Sequence, residues 1–265
     1  MKEDIMHKEP LTIVKVGGAV LEDPQQCGSL LDAFAAIEGK KILVHGGGRT
    51  ASTIASQLGI KTRMVDGRRI TDADMLLVAA MVYGGLVNRN IVTWLQALGV
   101  DAIGLTGADM DIIRSHRRPV VNGIDYGYVG DIDHVDADRL SMLTDKGIVP
   151  VVAPLTHDGC GQLLNTNADT IASEVAAAMA QVYDVHLVYV FEKAGVLGNP
   201  DDEASVIPQI CASELDGLIA KGIVSGGMIP KLRMAVQAVE RGVENVLITN
   251  ISSLATLDGT RIIAG

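Results

Sequence analysis

Near its N-terminus the sequence reads Leu11-Thr12-Ile13-Val14-Lys15-Val16-Gly17-Gly18. An aliphatic run of this length, rich in valine and isoleucine, favours a strand that is covered on both faces. The two glycines allow a sharp turn and leave backbone N–H groups unshielded by any Cβ atom. A lysine within a buried strand is costly unless its ammonium group faces an anion. The stretch therefore predicts a phosphate site at the end of a buried strand.

Strand and helix patterns alternate along the rest of the chain, which has 265 residues and only 3% aromatic residues. No Pro/Ser-rich linker and no fixed-period repeat interrupts them, so we expect one domain over residues 1–265. The alternation predicts an α/β fold: a three-layer α/β/α sandwich with a mainly parallel central sheet. Ligands of such sheets bind at the carboxyl ends of the strands, where Lys15, residues 46–48 and Glu192 are all expected to lie.

Charge and cysteine content exclude several classes of partner. The formal net charge of -10 argues against nucleic acid or an anionic membrane surface. Cys27, Cys160 and Cys211 are far apart and lack the spacing of a metal site, which is typical of thiols in a reducing compartment. The charged segment Met1–Pro10 does not resemble a signal peptide, and no uninterrupted apolar run reaches the length of a membrane span. We therefore expect a cytoplasmic protein without a metal site, a membrane or a nucleic-acid partner.

A second strand also ends in glycines, because Lys41–His45 is followed by Gly46-Gly47-Gly48 and then by a predicted helix. A strand, a glycine turn and a helix N-terminus together form an anion cradle. The spacing matches neither common nucleotide-binding fingerprint, and a glycine triplet alone is equally consistent with a tight turn under a closely packed helix. The neighbouring Lys15-x-Gly-Gly pattern favours the cradle. His45 is expected to be a packed residue at the strand end rather than a base.

Polar groups in three other places are candidates for ligand binding. Arg68 and Arg69 offer planar forks for a carboxylate, although one of the two is expected to be a solvated loop residue. Residues 165–169 read Asn-Thr-Asn-Ala-Asp at a predicted helix start, where one polar residue would be a cap and three exceed that need. Lys231 lies in the first turn of a predicted helix, where the helix dipole opposes a cation. It is either a functional residue or an ordinary surface lysine.

Seven short motifs occur in the order that one known family has them. They are Lys15-Val-Gly-Gly, His45-Gly-Gly-Gly, Gly67-Arg-Arg-Ile-Thr71, Gly104-Leu-Thr-Gly-Ala-Asp109, Gly147-Ile-Val-Pro-Val-Val-Ala-Pro154, Asn165-Thr-Asn-Ala-Asp169 and Gly227-Met-Ile-Pro-Lys231. Over about residues 11–250 the chain resembles the amino acid kinase family, most closely its members that phosphorylate N-acetyl-L-glutamate in arginine biosynthesis. Each motif alone is modest, whereas seven in register are specific.

The resemblance implies transfer of the γ-phosphoryl group of ATP to a side-chain carboxylate, with Mg²⁺ bound by the nucleotide rather than by a protein cage. A carboxylate with a pKa of about 4.3 is already ionised at neutral pH, so the reaction needs no general base. This agrees with the lack of a conspicuous His, Ser or Cys candidate. What such a site must supply is positioning, cations and backbone donors for the charge of the transferred group.

Carried over residue by residue, the resemblance implies a catalytic group in which Lys15 and Lys231 flank the phosphoryl group and Asp169 orients both lysines. The implied substrate-binding residues are Gly47, Gly48, Arg69 and Asn165. The implied ATP-binding residues are Gly17, Gly18, Glu192, Gly195, Ser225, Gly226 and Gly227. The acyl-amino-acid site is expected in about residues 11–180 and the ATP site in about residues 181–265. Where the family usually has Thr-Asp-Val, this chain has Phe191-Glu192-Lys193.

Two other functions stay open at this point. One is a kinase of another N-acylated acidic amino acid, such as N-succinylglutamate. The other is a non-catalytic sensor on the same fold, which would lack Lys15, Asp169 or Lys231.

About ten polar residues precede the first strand, whereas arginine-inhibited relatives tend to carry an extra N-terminal helix that links dimers into hexamers. We therefore expect an arginine-insensitive homodimer. The apolar helix from Asp72 to about Gly84 is expected at its interface, with ordinary core packing as the alternative.

Overall fold

The computed structural model describes residues 8–65, 68–199, 201–224 and 228–265. Its strands, in chain order, are β1 (Pro10–Val16), β2 (Lys40–His45), β3 (Arg63–Val65), β4 (Arg68–Ile70), β5 (Ala102–Leu105), β6 (Ile113–Arg117), β7 (Gly130–Val135), β8 (Val149–Val152), β9 (Leu155–His157), β10 (Leu163–Asn165), β11 (Asp184–Val190), β12 (Gln209–Cys211), β13 (Asn245–Thr249) and β14 (Thr260–Ile263). Its α-helices are α1 (Gly18–Glu22), α2 (Pro24–Ala36), α3 (Gly48–Gln57), α4 (Ala73–Ala79), α5 (Asn88–Ala97), α6 (Ala137–Thr144), α7 (Ala168–Met179), α8 (Leu215–Ala220), α9 (Met228–Glu240) and α10 (Ile251–Leu254).

Eight strands form the central sheet in the order β12-β14-β13-β11-β1-β2-β8-β5. Neighbouring strands are parallel, with β13 and β14 as the antiparallel pair among those described. β1 lies inside the sheet, where it pairs with β11 on one side and β2 on the other. The sequence prediction of a mainly parallel α/β sheet with β1 buried within it is confirmed.

Side chains of β1 alternate between two hydrophobic cores, as the two-residue period of a strand requires. Ile13 packs with residues of α7 and α9 on one face of the sheet, including Ile171 and Leu232. Val14 packs on the opposite face with residues of α2 to α5, including Phe34. Both faces of the strand are therefore covered by helices, which explains why its sequence is an almost uninterrupted aliphatic run.

A smaller four-stranded sheet, in the order β10-β9-β6-β7, and the β3–β4 hairpin complete the fold. β3 pairs antiparallel with β4, and β6 pairs antiparallel with β7. β12 precedes β13 in the chain and β14 follows it, at positions where the sequence pattern did not predict strands. Both are short strands towards one edge of the sheet, where only three or four residues carry the pattern.

The longest helix is continuous from Ala73 to Ala97 and includes a π-helical segment at Ala80–Val87 between α4 and α5. Its most apolar 18-residue window has a mean hydropathy of 1.5, so by length and composition it could cross a membrane. The expectation from the sequence concerned an uninterrupted apolar run, and the polar residues 88–90 do interrupt this helix. Half of that window is buried inside the fold. Core helices of soluble proteins pass the same test, so this is weak evidence for a span.

Candidate active site

A cavity of about 200 Å³ lies where β1 and β2 end side by side. Parallel strands present their carboxyl ends at the same edge of a sheet, and both of these strands lead into glycine turns. Eight of the residues predicted from the sequence line the cavity: Lys15, Gly17, Gly18, Gly47, Gly48, Arg69, Asn165 and Asp169. The two motifs that suggested an anion cradle are therefore brought together in space.

The two glycine turns pack directly against each other. A Cβ atom on Gly18 would lie 3.1 Å from the backbone nitrogen of Gly47, and one on Gly46 would lie 3.0 Å from the nitrogen of Gly18. Gly47 has a φ of +155°, and a Cβ atom there would meet the ring of Tyr83 at 3.0 Å. Side chains at these positions would separate the turns, so glycine is required by close approach as well as by conformation.

Lys15 is buried and forms an ion pair across the cavity, with its Nζ 2.5 Å from Oδ1 of Asp169. Asp169 lies in the first turn of α7, where Asn167 is the cap and its Oδ1 accepts from the backbone N–H of Thr170. The cap therefore uses one polar residue of this motif. Asn165 remains beside the cavity, and its Nδ2 donates to the hydroxyl of Thr71 at 2.9 Å. Lys15 therefore has the anionic partner that was predicted for a lysine within a buried strand.

Both arginines of the β4 strand line the same cavity and are half-buried. Arg69 donates through Nη2 to the carbonyl of Gly48 at 2.7 Å and to the hydroxyl of Ser52 at 2.9 Å. Burial lowers the pKa of Arg68, and the charge of Arg118 acts in the same direction. The expectation that one of the two arginines is a solvated loop residue was wrong, because the β3–β4 hairpin turns both towards the cavity.

Lys231 approaches the same region from the first turn of α9, although it is not among the residues that line the cavity. Its Nζ lies 3.8 Å from the centre of the Phe191 ring, a cation–π contact. Burial lowers the pKa of Lys231, the charge of Asp169 raises it, and the charge of Lys15 lowers it. The charges of Lys15 and Asp169 therefore both act on the pKa of Lys231, while the direct contact of Lys231 is with the ring of Phe191.

Glu192 and Gly195, which were also expected to bind ATP, do not line this cavity. Glu192 is exposed just after β11 and lines a separate cavity together with Phe191 and Asn250. Gly195 is buried, and a Cβ atom there would lie 2.6 Å from the hydroxyl oxygen of Thr260, so close packing against β14 accounts for this glycine. Ser225, Gly226 and Gly227 lie outside the described residues.

Comparison with known proteins agrees with the motifs and the fold. The model of the amino acid kinase family matches residues 10–250. The chain belongs to this family. It is 58% identical to an acetylglutamate kinase of Bacteroides fragilis over 262 residues, covering 99% of both chains. It is 57% identical to one of Bacteroides thetaiotaomicron over 255 residues, covering 96% of this chain and 99% of the relative. The crystal structure of smu.665 from Streptococcus mutans superposes with a TM-score of 0.75 at 26% identity, covering 96% of this chain and 99% of that one.

Phe191 lies beside the lysine of the last family motif, and sequence reasoning did not predict a role for it. The substitution in the usual Thr-Asp-Val pattern was the available signal, but only the fold shows that the aromatic ring faces Lys231. Tyr189 stacks on Phe191 with the ring centres 5.9 Å apart and the planes 2° from parallel. The lysine of the family motif is therefore held by an aromatic pair at the end of β11.

Proposed function

We propose that this protein transfers the γ-phosphoryl group of ATP to the side-chain carboxylate of N-acetyl-L-glutamate, giving N-acetyl-L-glutamyl 5-phosphate in arginine biosynthesis. The observation that carries the proposal is the Lys15–Asp169 ion pair beside the two glycine turns. Acetylglutamate kinases that are 57–58% identical over nearly the whole chain support this choice of substrate. Lys15, Asp169 and Lys231 are all retained, which argues against a non-catalytic sensor.

The main barrier to this reaction is repulsion between two anions, followed by charge on the oxygens of the transferred group. Lys15 would neutralise that charge from the β1 side and Lys231 from the α9 side, with Asp169 orienting the lysines. The backbone N–H groups of Gly17, Gly18 and Gly47 would donate to the phosphoryl oxygens. No general base is needed because the acceptor is a carboxylate, and the proposed residues accordingly bind and orient without removing a proton.

The amino-acid substrate would be bound by groups that line the same cavity. Arg69 would hold the α-carboxylate, since a guanidinium fork matches a planar carboxylate in charge and shape. Asn165 would hold the amino-acid end, and Gly47 and Gly48 would contact the substrate through their backbone. The position of these four residues around one cavity supports an acyl-amino-acid site within residues 11–180.

The nucleotide would be bound by residues 181–265, with Glu192, Gly195, Ser225, Gly226 and Gly227 as the proposed contacts. The phosphates of ATP would hold Mg²⁺, since the described residues contain no group of three or more His, Cys, Asp or Glu side chains that could do so. When bound, the cation neutralises phosphate charge. We further propose one kinase domain over residues 1–265.

Arg68 favours a second candidate substrate for which the comparisons give less support. N-acetylglutamate has two carboxylates, one at the reaction site and one for Arg69. Arg68 is a further cation at the same cavity, with burial opposing its charge. A third carboxylate, as in N-succinylglutamate, would compensate that charge. The acyl preference therefore depends on whether Arg68 meets a carboxylate or only the neighbouring Asp131.

An assay that traps the acyl phosphate with hydroxylamine tests the activity. N-acetylglutamate, N-succinylglutamate, glutamate and aspartate should be compared side by side with ATP and Mg²⁺. We expect N-acetylglutamate to give the highest kcat/KM and Arg68→Gln to leave that value within about threefold, since it removes no contact to that substrate. A preference for N-succinylglutamate that Arg68→Gln abolishes would favour the second candidate. Absence of hydroxamate with all four acceptors would refute the kinase.

We propose a cytoplasmic homodimer whose interface includes the apolar helix from Asp72 to about Gly84, which is the first part of the continuous helix Ala73–Ala97. Leu77 and Met81 are 59% and 46% exposed on this helix, which supports an unpartnered apolar face. Met81→Asp should dissociate the dimer in size-exclusion chromatography, whereas Met142→Asp, at a methionine of α6 that is 58% exposed, should not. A dimeric Met81→Asp variant or a hexameric wild type would contradict this assembly.

A further inference from the structure

Two polar side chains are buried behind the second glycine turn, and the reaction outlined above does not use either of them. His45 and Asn88 are both 0% exposed. Nδ1 of His45 lies 2.7 Å from the carbonyl oxygen of Gly46, and because a carbonyl can only accept, Nδ1 must carry the proton. Nε2 then accepts from Nδ2 of Asn88 at 3.1 Å, which leaves the imidazole neutral with both nitrogens satisfied. Burial lowers the pKa of His45 to about 4, in agreement with the neutral ring.

The orientation of Asn88 is itself determined by its surroundings. Its Nδ2 also donates to the carbonyl of Val151 in β8 at 2.9 Å. Its Oδ1 lies against Gly104, where a Cβ atom would be only 1.8 Å from that oxygen. Any other residue at position 104 would displace Asn88. This explains the first glycine of the Gly104–Asp109 motif, for which the sequence offered no reason.

The hydrogen bond from His45 determines the direction of the next peptide. The Gly46–Gly47 peptide is trans, so its carbonyl and its N–H point in opposite directions. With the carbonyl held against the buried imidazole, the N–H of Gly47 is directed away from the interior. Gly18 lacks the Cβ atom that would otherwise approach the Gly47 nitrogen to 3.1 Å, so space is free on that side. Gly46 and Gly47 both line the cavity that contains Lys15.

Such a peptide needs an external restraint, since two consecutive glycines have more backbone freedom than any other pair. The N–H of Gly46 is held by the carbonyl of Val16 at 3.0 Å, and its carbonyl is held by His45. We propose that His45 is a positioning residue, whose Nδ1–H fixes the Gly46–Gly47 peptide so that the Gly47 N–H faces the transferred phosphoryl group. Asn88 holds the required tautomer, and Gly104 makes room for Asn88. This inference rests on the proposed kinase function.

Two isosteric substitutions separate positioning from simple packing. The amide nitrogen of asparagine can occupy the position of Nδ1, and that of glutamine the position of Nε2. His45→Asn therefore keeps a donor for the Gly46 carbonyl, whereas His45→Gln keeps a polar group for Asn88 and loses that donor. We expect kcat to fall about 10- to 100-fold in His45→Gln, with both KM values within about threefold, as for loss of one transition-state donor. His45→Asn should keep kcat within about threefold of the wild type.

A matched control exists in the same sheet. His186 in β11 also pairs with an asparagine, with its Nδ1 2.7 Å from Nδ2 of Asn245, but it does not line the cavity. His186→Gln should leave kcat unchanged. Equal kcat in His45→Gln and His45→Asn, with the wild type active, would overturn the inference. An inactive wild type would instead refute the kinase function.

A measurement on the wild type keeps the inference testable if a His45 variant fails to fold. The ¹⁵N chemical shifts of histidine distinguish the Nδ1–H tautomer from the Nε2–H tautomer. We expect His45 to be the neutral Nδ1–H tautomer at pH 7. An Nε2–H tautomer, or a protonated ring at that pH, would overturn the inference whether or not the enzyme is active.

Discussion

Lys15 and Lys231 approach the proposed phosphoryl site from opposite sides, and the fold holds them in different ways. Lys15 belongs to a strand that is hydrogen-bonded on both edges, it is 7% exposed, and its ammonium group is paired with Asp169. Lys231 belongs to the first turn of a helix, and its ammonium group lies over the ring of Phe191. One cation is held by the sheet and a carboxylate, the other by an aromatic ring.

The difference suggests a division of work between the two halves of the site. A strand inside the sheet cannot move without breaking two ladders of hydrogen bonds, so Lys15 is in place before any ligand arrives. The cation–π contact of Lys231 contributes only about 0.5–2 kcal/mol, and an anionic phosphate can replace it. The helix dipole also disfavours a cation in the first turn of α9. We therefore expect Lys231 to reach its working position only when the nucleotide is bound.

The largest expected effect is that of removing Lys15. Lys15→Ala should lower kcat about 10³-fold and Lys231→Ala about 10²-fold, the range seen when a charge-stabilising donor is lost from a preorganised site. The fixed cation should contribute more because no conformational step precedes its contact. Steady-state kinetics of purified variants with native thermal unfolding would test this. Near-normal turnover in both variants would refute the two-lysine mechanism, and a larger loss in Lys231→Ala would reverse the comparison.

Lys41 provides a control for a buried lysine without a role in the reaction. It is also 7% exposed, on the neighbouring strand β2, but its Nζ donates to the carbonyls of Phe34, Ala35 and Ile37 at the end of α2. Lys41→Ala should therefore lower the melting temperature while kcat stays near the wild-type value. A large loss of kcat in this variant would show that kinetics at these positions report folding rather than catalysis.

A smaller loss is expected from Asp169→Asn, which tests the carboxylate that is paired with Lys15. The substitution removes the counter-charge of a buried ammonium group, so kcat should decrease about 10²-fold. Steady-state kinetics of the purified variant would measure this loss. Asp138→Asn, in the first turn of α6, removes an equivalent helix-start charge and should leave kcat unchanged. An unchanged kcat in Asp169→Asn would contradict the role of the ion pair.

Much of this architecture could be predicted because it depends on local sequence patterns. The β1 strand, the glycine turns and the helix start at Asn167 each depend on fewer than ten neighbouring residues. The chemistry of the buried lysines could not be predicted in the same way. The argument that a buried lysine needs an anion applies equally to Lys15 and Lys41, yet Lys41 is satisfied by carbonyls at a helix end. Only the fold distinguishes the two.

Contacts between residues far apart in the chain are visible only in the fold, and this explains which site residues sequence reasoning missed. Asn88 contacts His45 across 43 positions of the chain, and Phe191 meets Lys231 across 40. Neither residue belongs to a motif whose spacing predicts the contact. An asparagine on an apolar helix and an aromatic residue after a strand are each consistent with ordinary packing. Gly104 was recognised as part of a motif, but the sequence did not show why glycine is required there. The side chain that occupies the space beside it belongs to Asn88, in the helix α5.

The smallest effect, and the most direct test of the comparison between the lysines, is expected at Phe191. Phe191→Leu keeps an apolar side chain but removes the ring face under Lys231, and loss of a cation–π contact should lower kcat about 3- to 30-fold. Phe191→Tyr keeps the ring and should remain within about threefold of the wild type. If the ring orients only the mobile lysine, Phe191→Leu should have no further effect when combined with Lys231→Ala. Independent, multiplicative losses in the double variant would show instead that Phe191 acts elsewhere in the site.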